Sequence, residues 1–311
     1  MLAQLGCAAM QGGARRAGGP GPTWDEAAAA TYRDLADVEP EVTLAGGRWE
    51  GAPYVAGGAA RPAVTLVQDF VVHGDLDGDG EPEAVVLVAV ATGASGERLH
   101  VAVLAQRDGA LRNVAMALLG DRVQVRGIRI TPDEPPHLLV DLVRAGPQDA
   151  ACCPGELATR GWTLAPDDRL APLPATAPHG RLALAAVSGT EWVLRAWDRD
   201  QPAATEPAVT LTVGDQGFAG RAACNTYFAA VAPGDSPGAV VLGPIGTTRM
   251  ACPAPTMAVE RRFLETLRRV QRFGFMAGRL VLTYEGEGGA GTMVLHAAGA
   301  GATSSSRPSN P

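Results

Sequence analysis

Five acidic side chains crowd into one short stretch, Asp75, Asp77, Asp79, Glu81 and Glu83, within the run Asp-Leu-Asp-Gly-Asp-Gly-Glu-Pro-Glu. Counted from Asp75, carboxylates stand at positions 1, 3 and 5 and a glycine at 6. Glu81 brings a backbone carbonyl at 7, and a carboxylate returns at 9. Hard oxygen donors at alternate positions let one short loop wrap one cation, and flexible multidentate oxygen favours Ca2+ over Mg2+. The run is not an EF-hand, because position 12 is Val86 rather than a bidentate Glu and strand-like residues follow where a helix would stand. The alternative left open is an acidic hairpin that binds nothing tightly.

Cysteine is the second chemical signal. Cys152 and Cys153 are adjacent, followed by Pro154 and Gly155, so they do not form a C-x-x-C motif. Neighbouring cysteines cannot chelate zinc tetrahedrally without two further ligands, and His137 is the one histidine nearby in sequence. A strained vicinal disulfide, more reducible than an ordinary one, is the remaining specific reading. Cys7 follows Leu5-Gly6 as the last residue of a lipoprotein signal would. However, Gln4 stands where such a signal has Leu, and no basic segment precedes it. Lipidation of Cys7 and an incidental cysteine in a disordered N-terminus both stay open.

No catalytic constellation can be assembled. H-E-x-x-H, a phosphate-cradling glycine loop and a dinucleotide fingerprint that opens a helix are all missing from the sequence. His73, His100, His137, His179 and His296 lie in unrelated contexts, and His73, two residues before Asp75, reads as a strand-end residue rather than a general base.

The elements that must position these residues are mostly short strands. Residues 1–22 are too rich in Gly, Ala and Pro to bury a core and are expected to be a disordered tether or signal remnant. Thr23-Trp24-Asp25-Glu26 opens a short helix running towards Tyr32, with acidic residues in its first turn. From there to residue 170, alternating apolar runs predict strands at 64–66, 85–90, 101–103, 123–130 and 138–143. Residues 171–184 are proline-rich and read as a linker. Further strands are expected at 191–196, 209–213, 217–222, 239–242, 279–284 and 293–296. A helix is expected over 256–273, with Phe263, Leu264, Leu267 and Val270 inward and Glu260, Arg261, Arg262, Arg268 and Arg269 outward. Residues 298–311 read as a disordered tail.

The fold class that follows is α+β, mainly antiparallel β, in two small β-rich domains, the C-terminal one with a single packed helix. Composition agrees, since hydrophobic residues make up 46% and aromatics 5%, so Val, Leu and Ala must fill the cores. All 26 basic residues are Arg, which reads as the codon bias of a GC-rich genome. A net charge of −7 and a pI near 5.3 argue against a nucleic-acid partner. The longest apolar run, residues 84–91, is far short of the ~20 residues of a membrane span and suits a buried strand.

Four segments of the C-terminal block carry a family resemblance. Gly189-Thr190-Glu191-Trp192-Val193-Leu194 resembles the opening strand of the META/HslJ-like family. Gly220-Arg221-Ala222-Ala223-Cys224-Asn225-Thr226-Tyr227 resembles its G-x-x-G-C-N-x-[YF] element, with Ala223 at the second glycine. Residues 245–253 resemble its T-x-M-A-C segment, and Leu280-Val281-Leu282 its closing strand. The resemblance spans residues 185–297. It implies a small α+β fold tethered in the bacterial envelope, linked to stress and antibiotic tolerance and without an established enzymatic activity. It also favours a bridge between Cys224 and Cys252 over two buried thiols. Such a bridge would close a loop of about 28 residues and contribute ~3–4 kcal/mol by loop entropy. Asn225 reads as a turn cap and Trp192 as core. In the N-terminal block, the Asp75–Glu83 run resembles the single-loop calcium motif of FG-GAP and VCBS repeats, although one copy does not make a propeller.

The functional expectation is a non-catalytic envelope protein, secreted or lipid-anchored, that binds an unidentified envelope ligand or protein. The alternatives are a secreted calcium-dependent hydrolase and an inhibitor or adhesin that presents loops to a protein partner.

Overall fold

A computed structural model of the chain describes residues 19–35, 38–93, 96–150, 152–198, 201–286 and 289–299. Cys7 and most of the expected tether and tail lie outside the described residues. All the strand pairings are antiparallel, so the chain is α+β and mainly antiparallel β, as its alternating apolar patterns imply.

The apolar run 84–91 becomes the central strand of the N-terminal half, Glu83–Ala91. Residues 83–90 are all buried because both faces of this strand are covered. Ala84, Val86, Val88 and Val90 pack under a short helix and a two-stranded ribbon, among Ala27, Tyr32, Leu35, Val42 and Leu44. Val85 and Leu87 face the second core, with Leu138, Val140, Leu142, Trp162 and Leu164. A one-residue slip would exchange the two cores, so burial on both sides fixes the register. The strand sits in a six-stranded sheet, and a five-stranded sheet built from Gln124–Ile130, Leu138–Arg144, Glu156–Ala165, Arg169–Pro172 and Gly180–Arg181 covers one side.

The first helix is shorter than expected. It runs Trp24–Ala27, with Thr23 and Glu26 capping one another reciprocally. Tyr32 lies instead in the strand Thr31–Arg33, and its hydroxyl donates to the Ala27 carbonyl at 2.9 Å. Of the expected tether, residues 19–22 lie against the N-terminal half, where the Pro22 carbonyl is 2.7 Å from His73 Nε2. The expected linker is partly strand and partly core, since Gly180 and Arg181 pair with Glu156–Leu157 and Leu182 is buried.

The C-terminal half is a nine-stranded sheet ordered Val240–Thr247, Asn225–Pro233, Gly217–Ala222, Thr210–Gly214, Glu191–Trp197, Gly289–Ala297, Arg279–Gly286 and Val270–Met276, with Gln201–Pro202 attached to Glu191–Trp197. Its two edges meet. Ala239 bridges Arg272, and the Phe273 amide donates to the Gly238 carbonyl at 2.8 Å, so the sheet curls almost into a barrel. The helix Ala254–Leu267 packs on it and inserts Phe263 and Leu267, both fully buried.

That helix corrects the expectation of 256–273. The chain leaves it after Leu267, and Val270 and Phe273 lie in the strand Val270–Met276. Val270, Phe273 and Phe275 are buried, but a register shift between Val270 and Arg272 breaks strict alternation and lets the segment pass for helical spacing. Glu260, expected on the outer face, is 7% exposed and turned inward.

The two halves share core. Val143, Leu157 and Leu182 pack with the C-terminal barrel, and Ala277 packs into the N-terminal half. Gln124 Oε1 accepts from the Phe275 amide at 2.9 Å, the Val125 carbonyl accepts from the Gly278 amide at 3.0 Å, and the Arg126 guanidinium sits 5.2 Å from the Phe275 ring centre.

Candidate metal loop and cysteine sites

Pairing of Gly74 with Glu83 makes residues 75–82 the connection of a hairpin that leads into the central buried strand. The loop winds around its own carboxylates. Asp75 accepts from the amides of Gly78 (2.7 Å) and Gly80 (3.0 Å), Asp77 from that of Asp79 (3.1 Å), Asp79 from that of Glu81 (2.7 Å), and Glu83 from that of Leu76 (2.7 Å). Gly78 and Gly80 have φ of 80° and 91°, a left-handed backbone that glycine adopts without steric cost.

Carboxylate oxygens of Asp75, Asp77 and Glu83 lie within 4.8 Å of one another, and Glu83 is 1% exposed. Asp79 and Glu81 stand outside this trio. Asp79 turns towards Arg107, 3.7 Å away, and to its hydrogen bond with the Glu81 amide. Burial pushes the Glu83 carboxyl up to about 7, and the charges of Asp77 and Asp79 push the same way against the Leu76 amide and Arg107. A buried carboxylate beside two others, offering only hard oxygen, fits a hard divalent cation.

Sequence reasoning missed Arg107, whose guanidinium lies 2.6 Å from Asp77, 3.6 Å from Asp168 and 4.0 Å from Glu83. The register holds the signal that would have found it. Ala84 pairs with Leu104, so extending the ladder three residues places Arg107 level with Glu81.

In the C-terminal half, the sulfurs of Cys224 and Cys252 are at disulfide distance, with Cα atoms 6.1 Å apart. The bridge ties the turn between Gly217–Ala222 and Asn225–Pro233 to the residue before the Pro253 helix cap. Beside it lies a buried polar knot. Asn225 Oδ1 accepts from the Met250 amide (2.7 Å) and the Thr248 hydroxyl (2.8 Å), while the Asn225 amide groups donate to Glu260 at 2.7, 3.1 and 3.2 Å. The Asn225 side chain thus ties its strand to residues 248–250 and to the helix rather than capping its own turn, and Glu260, the residue that completes the knot, was not foreseen there.

The family motif also has a physical reading. A Cβ on Gly220 would meet the Thr210 carbonyl oxygen at 2.2 Å, so only glycine fits. Ala223, at the second glycine of the motif, has φ 72°, the conformation that glycine favours. Trp192 is 6% exposed and donates to the Val187 carbonyl at 3.2 Å, as a core residue.

Cys152 and Cys153 also have their sulfurs at bonding distance. They lie at the junction of the halves, in a loop whose ends are drawn together by Asp149. Its Oδ2 accepts from the amides of Gly146 and Gly155, both at 2.8 Å, and its carboxylate pairs with Arg181. The five histidines stay dispersed: His73 faces Pro22, His137 lies 3.6 Å from Asp133, and His100, His179 and His296 are on other elements.

No curated protein matches this chain. A solved structure titled "NMR structure of the protein from Burkholderia xenovorans" is 27% identical over 41% of this chain and 95% of that one, with a TM-score of 0.29. Residues 185–297, the curled sheet with its helix, match the family model of the META domain.

Proposed function

We propose that this chain is a non-catalytic bacterial envelope protein, in which a META domain and a metal-binding β module act together in binding and stress tolerance. The observation that carries the reading is the META match over residues 185–297, whose cysteines stand paired. A disulfide of this kind persists in an oxidising compartment and is rare in the cytosol. The test is fractionation of cells that express the full-length tagged chain, with thiol trapping at lysis, alongside survival of a deletion strain under heat and antibiotic challenge. The expected result is protein in the envelope or medium, Cys224 and Cys252 protected from alkylation, and reduced survival that the intact gene restores. Cytosolic protein with both thiols free would end the reading.

The N-terminal half is proposed to take Ca2+ through Asp75, Asp77 and Glu83, with Asp79 and the Glu81 carbonyl completing the shell. The proximity of three carboxylate oxygens, within 4.8 Å of one another, supports this. Metal that binds only the folded chain adds folding free energy, about 2.7 kcal/mol at a free concentration 100 times the dissociation constant. The melting temperature of the full chain should rise with Ca2+ and fall with chelator. Asp77→Ala should abolish the response and Asp215→Ala should leave it intact. An unchanged melting temperature at millimolar Ca2+ would reduce the loop to an acidic turn neutralised by Arg107.

A further inference from the structure

The vicinal cysteines are not equivalent. Cys152 is exposed, whereas Cys153 is partly covered and has the Arg272 guanidinium 3.5 Å from its sulfur. Arg272 comes from the opposite half of the molecule, in the strand Val270–Met276, and is held in place by the Pro237 carbonyl (2.8 Å) and the Ser236 hydroxyl (2.9 Å). The loop that carries the cysteines is fixed independently of the sulfur–sulfur bond. Asp149 clamps Gly146 and Gly155, the Leu182 amide donates to the Gly155 carbonyl at 2.7 Å, and a Cβ on Gly155 would collide with Pro237 at 2.3 Å. In the second pair neither cysteine is exposed, Cys224 being buried and Cys252 partly covered, and the Cys224 sulfur faces the Met250 carbonyl rather than a cation.

Thiol–disulfide exchange is governed by access to the attacked sulfur and by the stability of the departing thiolate, and a neighbouring guanidinium lowers the pKa of the leaving thiol. We propose that Cys152–Cys153 is a thiol-exchange site, at which a dithiol reductant attacks the sulfur of the exposed residue Cys152 and Cys153 leaves as a thiolate held by Arg272. In the first step the reductant's thiolate forms a bond to Cys152 Sγ, the Cys152–Cys153 bond breaks, and its electron pair departs on Cys153. In the second step the reductant's other thiolate attacks its own sulfur bound to Cys152 and releases Cys152 as a thiolate that takes up a proton. The protein gains two electrons, and the reductant ends as a disulfide. Because the clamp around Asp149 keeps the loop closed, the two thiols stay adjacent and the step is reversible. The natural reductant is a dithiol of the thioredoxin-like or small-molecule class. The site does not depend on the META or metal readings.

Two measurements on the oxidised full-length chain test this. Brief exposure to reduced glutathione, quenched into iodoacetamide, should give a mixed disulfide that peptide sequencing by mass spectrometry places on Cys152, with Cys153 alkylated. Under limiting dithiothreitol, Cys152–Cys153 should open well before Cys224–Cys252. Arg272→Met should slow that opening several-fold, and Arg272→Lys should restore most of the rate. The rate for Cys224–Cys252 reports whether each variant remains folded, and the glutathione position in wild type decides the case if Arg272→Met does not. Glutathione on Cys153 as often as on Cys152, equal reduction of both disulfides, or an Arg272→Met rate equal to wild type in a folded protein would each overturn the proposal.

Discussion

Asp149 shows how much one carboxylate can organise. It takes the amides at both ends of its loop and the guanidinium of Arg181, and these contacts, the Arg181 bond foremost, hold its carboxyl down to about 2 from an ordinary 3.8. A folded-state pKa below the unfolded one means that the charged form stabilises the fold. That contribution is complete above the unfolded value and is lost as pH falls from about 3.8 towards 2. Asp149→Ala should therefore lower the melting temperature at neutral pH, by about 2–4 °C for each kcal/mol lost in a unit of this size. The gap between variant and wild type should close on acidification through that window. A gap that stays constant down to pH 2 would mean that the side chain acts by shape rather than charge. Glu83 is displaced in the opposite direction because burial outweighs its single amide donor, even though both are hydrogen-bonded carboxylates.

At the scale of elements, the helix Ala254–Leu267 and the turn at Asn225 are held together by a buried carboxylate. Glu260→Ala should leave the Asn225 backbone amide without an acceptor and its side-chain amide with the Met250 carbonyl alone, at a cost of about 1–3 kcal/mol before any cavity is counted. Thermal unfolding of the variant should show this loss with the Cys224–Cys252 bond intact, and an unchanged melting temperature would remove the knot from the stability of the fold. Strands with unbroken apolar runs or clean alternation, such as Glu83–Ala91 and Leu138–Arg144, were legible in the sequence because burial imposes the period directly. The strands Ala110–Asp121, Glu156–Ala165 and Asn225–Pro233 were not. Arg160, Gly161, Asn113 and Asn225 interrupt their apolar pattern, although each of these strands pairs with its neighbours in sequence. Among the site residues, the loop carboxylates and Cys152–Cys153 were visible as local spacing, and the Cys224–Cys252 pair through the family resemblance. Arg107, Glu260 and Arg272 were invisible because strand register, helix docking and barrel closure deliver them, and none of these is a local property.

At the scale of the whole molecule, the META-matching stretch has the parts of an independent folding unit, yet it is not packed as one. Its sheet meets itself at Ala239 and Arg272, its helix fills the interior, and its disulfide restrains the unfolded chain. Val143, Leu157 and Leu182, all N-terminal to residue 184, nevertheless sit in the same core. Burying an aliphatic side chain of this kind contributes about 1.5–3 kcal/mol, so losing three of them costs several kcal/mol. The loss also uncovers the Phe275 and Gly278 amides, which Gln124 and the Val125 carbonyl now satisfy. A fragment of residues 184–298 is thus expected to unfold in a single cooperative transition, because its own sheet, helix and disulfide suffice to form a core. That transition should lie well below the melting of the same residues in the full chain, and calorimetry on the fragment and the full chain at one pH measures the difference. Equal melting temperatures would show that the shared core and the bonds across the junction contribute nothing to stability. A fragment with no cooperative transition would show the reverse, that the C-terminal fold forms only against its N-terminal partner.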